Sequence, residues 1–134
     1  MESVEKVVLD TNVVLRFLLN DNEEQSELAS QVIVNADCIV PVEVIAEVVF
    51  VLDKLYSKDR ETICDKIKDF AKIKKSMLLE KDVVCHACDV YANSTLGFID
   101  CLIDSYVKIK GYKAFTFDKK LRKLLGGKLF NEST

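Results

Sequence analysis

Lys6-Val7-Val8-Leu9-Asp10-Thr11-Asn12-Val13-Val14-Leu15-Arg16-Phe17-Leu18-Leu19 changes structural period in the middle, and that change decides the fold. Its first half belongs to a short Val-rich run, residues 4–10, ended by the polar signal Asp10-Thr11-Asn12; this predicts a buried strand. The second half, Val13 to Leu19, predicts a short helix closed by Asn20-Asp21-Asn22. A strand running straight into a helix is the repeating unit of an α/β domain.

The same alternation continues. A helix is expected over 23–35, with Leu28, Ala29, Val32 and Ile33 at core spacing, then a strand at Cys38-Ile39-Val40. Pro41 suits the first turn of the next helix, 42–56, which is apolar nearly all round and so reads as buried on several sides. Asp59 is placed to cap a helix running to Lys74 whose stripe is Ile63, Ile67, Phe70 and Ala71 or Ile73. Met77-Leu78-Leu79 reads as a brief strand or turn. Helices follow over 82–94 and 98–110, the second ended by Gly111. Lys113 to Phe117 reads as a strand and 118–125 as a short helix before Gly126-Gly127. Strands alternating with helices predict a mostly parallel sheet covered on both faces, and with one proline and four glycines no linker stands out. One α/β domain over residues 1–134 is the expectation.

Hydrophobic residues make up 49% of the 134, which excludes disorder. The net charge of −3 and a pI near 5.2 give no global positive field, so a protein that coats nucleic acid is disfavoured while an enzyme with a local basic rim is not. Neither a basic, apolar leader nor an apolar run long enough to span a bilayer is present, and Cys38, Cys64, Cys85, Cys88 and Cys101 form an odd set in apolar-patterned sequence. Reduced, buried thiols in a cytoplasmic protein are expected.

Four carboxylates occupy unusual places. Asp10 ends Val7-Val8-Leu9, Glu47 interrupts Val44-Ile45-Ala46 and Val48-Val49-Phe50, Asp100 follows Phe98-Ile99, and Asp118 follows Ala114-Phe115-Thr116-Phe117. Ligands of parallel α/β sheets bind beyond the carboxyl ends of the strands, where Asp10 and Asp118 fall. Asp100 lies in the first turn of its helix, and the longer Glu47 lies about one and a half turns into its own. Two carboxylates about 4 Å apart repel by roughly 4 kcal/mol at an effective dielectric near 20. A group of four therefore binds protons or a hard divalent cation, and oxygen-only donors select Mg²⁺ or Mn²⁺. Taken singly, Asp10, Asp100 and Asp118 are also ordinary helix caps; only the set of four makes the case.

These segments, Val-Val-Leu-Asp10-Thr-Asn-Val-Val-Leu, Val-Ile-Ala-Glu47-Val-Val-Phe-Val-Leu, Phe-Ile-Asp100-Cys-Leu-Ile and Thr116-Phe-Asp118-Lys, resemble PIN domains, most of all the VapC-type toxin ribonucleases. The resemblance covers nearly the whole chain in order. It implies a three-layer α/β/α domain and Mg²⁺- or Mn²⁺-dependent endonucleolytic cleavage of RNA. It also implies metal-holding, catalytic roles for Asp10, Glu47, Asp100 and Asp118, with Asn12 and Thr116 flanking the site. A homodimer and a cognate antitoxin covering the active site are implied as well. Asp104 departs from the pattern, standing where such toxins carry a small apolar residue; one turn after Asp100, it is a further candidate ligand or a surface partner of Lys108. Glu43 reads as a helix-start charge.

Arg16, Lys119, Lys120, Arg122 and Lys123 are candidates for contacts to RNA phosphates, though each also reads as surface charge. Cys85-His86-Ala87-Cys88 is a lone CxxC whose motif contains the chain's single histidine, too few ligands for zinc, and reads as core packing. Two other readings compete: a receiver-like Mg²⁺-binding signalling domain, whose middle strand should end in aspartate where this one meets Pro41, and a catalytically silent PIN-like binding domain.

Overall fold

The computed structural model describes residues 5–130. They fall into two compact units divided after Lys81.

The first unit opens with strand β1 (Lys6–Val8) and helix α1 (Thr11–Leu19). Asp10 is the N-cap, its Oδ1 accepting from the Val13 amide at 3.0 Å, and Asn20 ends α1 in the left-handed conformation that asparagine tolerates. Helix α2 (Glu23–Asn35), capped by Asn22, leads to strand β2 (Asp37–Ile39). β1 and β2 pair in parallel, Lys6 opposite Asp37 and Val8 opposite Ile39, and the Leu9 amide extends the ladder to the Ile39 carbonyl. Beyond them, the Val40 amide donates to Met77 O at 2.8 Å and the Leu79 amide to Val40 O at 3.1 Å. The expected strand at 77–79 is thus one parallel bridge. The first strand is shorter than 4–10, and residue 4 lies outside the described residues.

Helix α3 (Val42–Lys54) begins after Pro41, which sits at the cap rather than inside the first turn. It is not buried on several sides. Ile45, Val48, Val49 and Leu52 are buried, whereas Glu43, Glu47, Phe50 and Lys54 are all exposed. Spaced i, i+4, i+7 and i+11, these four share one stripe, so a solvated face runs through what reads as a continuous apolar run. Helix α4 (Arg60–Ile73) starts at Asp59, whose Oδ1 accepts from the Thr62 amide at 2.7 Å. Its buried stripe is Ile63, Cys64, Ile67, Phe70 and Ala71, with Phe70 meeting Phe17 of α1 ring to ring at 5.7 Å; Ile73 is exposed. Along α2, Ala29 and Ile33 are buried as expected, but Leu28 and Val32 are exposed. With Val7, Val8, Asp10 and Arg16 they line an open cleft of about 400 Å³.

The second unit holds helix α5 (Lys81–Ala92) from its second residue on, helices α6 (Phe98–Lys110) and α7 (Lys119–Leu125), then a 3-10 turn at Gly126–Lys128. Gly111 ends α6 with φ +74°, a conformation that costs glycine little. Val107, Leu121 and Leu125 form a buried cluster with Ile103, Ala114 and Leu129 against it. The expected strand 113–117 is absent. Residue 114 alone makes a parallel bridge, to Leu129, and the Phe130 amide donates to Ala114 O at 2.7 Å. Both units considered, the protein is α/β in class, mostly helical with a small parallel sheet. No helix among the described residues is long and apolar enough to cross a membrane.

Candidate functional site

Two of the four acids lie in the second unit, near enough for the charge of one to act on the other. Asp100 stands in the first turn of α6, half-buried, and Asp118 caps α7 with Oδ1 2.8 Å from the Leu121 amide. Burial holds the Asp100 carboxyl above the usual carboxylate range, and the charge of Asp118 pushes it the same way. Thr116 sets up this corner: its Oγ1 accepts from the Asp118 amide at 3.1 Å, and its carbonyl accepts from Arg122 Nη1 at 2.8 Å. A hydroxyl two residues before the cap thus fixes Asp118, and the Arg122 guanidinium, though exposed, is already engaged.

The other two acids lie in the first unit. Asp10 caps α1 and, with Asn12, lines the cleft beside β1; both side chains are exposed. Capping uses Oδ1 of both Asp10 and Asp118 and leaves Oδ2 of each without a hydrogen bond among the described residues, so cap and cation ligand are compatible roles for one aspartate. Glu47 projects from the exposed stripe of α3. Arg16, read above as a phosphate contact, is committed instead: Nη1 lies 3.0 Å from Asp21 Oδ1, and Nη2 donates to Tyr56 Oη at 3.1 Å. Lys119, Lys120 and Lys123 are exposed and make no ion pair among the described residues.

Asp104 is not a surface residue. Its side chain is fully buried, with Oδ1 2.7 Å from Lys108 Nζ, while the lysine remains 39% exposed. That contact lacks hydrogen-bond alignment, and neither carboxylate oxygen of Asp104 has a hydrogen-bond partner among the described residues. Distance makes it an ion pair; direction leaves the carboxylate under-satisfied.

The motif 85–88 belongs to no group of three or more metal-ligating side chains among the described residues. Cys88 is buried and Cys85 half-buried, and neither forms a disulfide. His86 Nδ1 lies 2.7 Å from Ser105 Oγ, which donates to Cys101 O at 2.7 Å, joining α5 to α6 by a side-chain chain that spacing alone did not reveal.

A comparison with protein-family models matches residues 7–125 to the model described as PIN domain. The chain belongs to the PIN domain family. The match spans both units and all four acids. Comparisons with curated proteins and with solved structures each returned no match. PIN domains are in general metal-dependent nucleases acting on RNA.

The residues of this PIN domain fit a hard cation in part. Among the described residues no three His, Cys, Asp or Glu side chains form a ready metal-binding group. Asp100 and Asp118, however, are an oxygen-only pair whose mutual repulsion a cation would relieve. Mg²⁺ is commonly held by one or two carboxylates together with water and substrate phosphate rather than by an all-protein cage.

Proposed function

We propose that this PIN domain is a Mg²⁺- or Mn²⁺-dependent endoribonuclease, the toxin of a toxin–antitoxin pair, acting in the cytoplasm as a homodimer and restrained by a cognate antitoxin. The observation that carries the reading is the Asp100–Asp118 pair, two like charges set at the starts of α6 and α7, one of them with raised proton affinity. Such a pair is unfavourable to the fold and useful to a cation site. Asp10 and Glu47 complete the assigned set by the family resemblance, with Asn12 and Thr116 in support. The toxin and antitoxin assignments rest on the VapC-like sequence around all four acids.

When bound, the metal supplies a polarised water and positive charge for an in-line attack on phosphorus. The chain's own part is to hold and orient. The Leu121 amide and the Thr116 hydroxyl fix Asp118, the first turn of α6 presents Asp100 at the positive end of the helix dipole, and the Val13 amide fixes Asp10. Lys119 and Lys120, next to Asp118, are placed to meet RNA phosphates.

The test is cleavage of an end-labelled RNA with and without EDTA, followed by Mg²⁺ or Mn²⁺ rescue, using wild type and Asp10→Asn. Cleavage should vanish in EDTA, return with metal, and fall at least about a hundredfold in Asp10→Asn, the scale of losing one group that stabilises developing charge. Cleavage indifferent to EDTA, or an Asp10→Asn protein as fast as wild type, overturns the reading.

A further inference from the structure

The segment joining α6 to α7 displays aromatic rings to solvent. Phe117 is 85% exposed and Phe115 53%, although phenylalanine is among the residues most often buried. The two rings lie 5.2 Å apart, edge to face at 82°, so the edge of one ring lies against one face of the other and each ring keeps at least one face that its partner does not cover. Around them the charge is one-sided. Lys113, Lys119, Lys120, Arg122 and Lys123 are exposed over residues 112–123, against the single acid Asp118, in a chain whose net charge is −3.

Free aromatic faces interleaved with cations match a ligand with flat π surfaces on an anionic backbone. We infer that Phe115 and Phe117 form a stacking platform for unpaired bases of single-stranded RNA, with Lys119 and Lys120 receiving the flanking phosphates. The inference rests on the nuclease reading and names its substrate class. A duplex keeps its bases stacked on one another and offers this platform only its backbone. Asp118 follows Phe117 directly, so a base seated on that ring brings its own phosphate next to a carboxylate assigned to the metal. A protein partner is the weaker match, because five cations around two rings would need an acidic surface opposite them.

The chain contains no tryptophan, so Phe117→Trp places a single reporter in the platform while keeping a stacking face. The full chain, in EDTA to prevent cleavage, is titrated with oligouridine, an abasic oligonucleotide of equal length, and an RNA duplex. Oligouridine should quench the indole emission of Phe117→Trp and the abasic strand should not. By anisotropy, Phe117→Ala should bind oligouridine about tenfold more weakly than wild type, with abasic and duplex binding unchanged. Equal quenching by the abasic strand overturns the inference, as does equal affinity of Phe117→Ala and wild type for oligouridine. A wild type that self-associates in sedimentation while Phe117→Ala stays monomeric, with no change in RNA affinity, assigns the face to a second copy and likewise overturns it. Base-dependent binding without metal-dependent cleavage defeats the nuclease reading alone; cleavage with an indole indifferent to bases defeats this one alone.

Discussion

Replacing Asp118 by Asn separates the two causes that raise the proton affinity of Asp100. Burial is the larger and survives the substitution; the Asp118 charge does not. The titration midpoint of Asp100, followed by carbon NMR of its carboxyl, should therefore move down in Asp118→Asn without reaching the usual carboxylate range. An unmoved midpoint would show that the two charges do not sense each other. The sign for stability follows. With the folded value above the unfolded one, the folded state binds more protons in the window between them, and stability falls as pH rises through it. Asp104 poses the opposite problem, a buried carboxylate with poor hydrogen bonding whose lysine partner can turn to solvent. Asp104→Leu should raise the melting temperature, because apolar packing replaces an under-satisfied carboxylate and the partly exposed Lys108 left behind can turn to solvent. A lower melting temperature would mean that the pair holds α6 in place. Asp100 in its first turn and Asp118 as a cap were legible because caps and first turns are local, although the strand expected to end at Asp118 is absent. The sequence could not show that Asp104 is buried, since i, i+4 spacing to a lysine looks the same on either face of a helix.

Helices were legible at the scale of elements, and strands were not. Asn22, Asp59, Asp118 and Gly111 each end or begin a helix where their side chain or backbone freedom dictates. Strand extent depends on partners distant in sequence, and 113–117 keeps its apolar pattern while making one bridge. The same limit misread Leu28 and Val32, since periodicity reports which residues are apolar and not what covers them. Lys74 shows a function that helix position alone hides. At the end of α4, its Nζ donates to Val34 O at 3.1 Å and Ala36 O at 2.7 Å, capping α2 rather than its own helix. Lys74→Met keeps the apolar stem and loses both bonds, so the urea midpoint should fall by the equivalent of about 1 kcal/mol with an unchanged slope. No change would mean that water replaces the ammonium at no cost.

For the whole molecule, a cation that binds only the folded state must stabilise it by mass action. Mg²⁺ or Mn²⁺ should stabilise the fold, and so raise the melting temperature, with the logarithm of concentration, by about 2.7 kcal/mol at a hundred times the dissociation constant. Asp118→Asn should flatten that response. A melting curve indifferent to millimolar metal would remove the cation from the site. The pairing of Val40 with residues 77–79 matters in time rather than in strength. Its two main-chain bonds close a loop that contains all of α3 and α4. Closing that loop costs entropy which condensation of the two helices offsets, so this closure is expected at a late step of folding. Substitutions that loosen Val40 or Leu78 should then hasten unfolding and leave the refolding rate almost untouched, whereas those in the α3–α4 contact slow refolding itself.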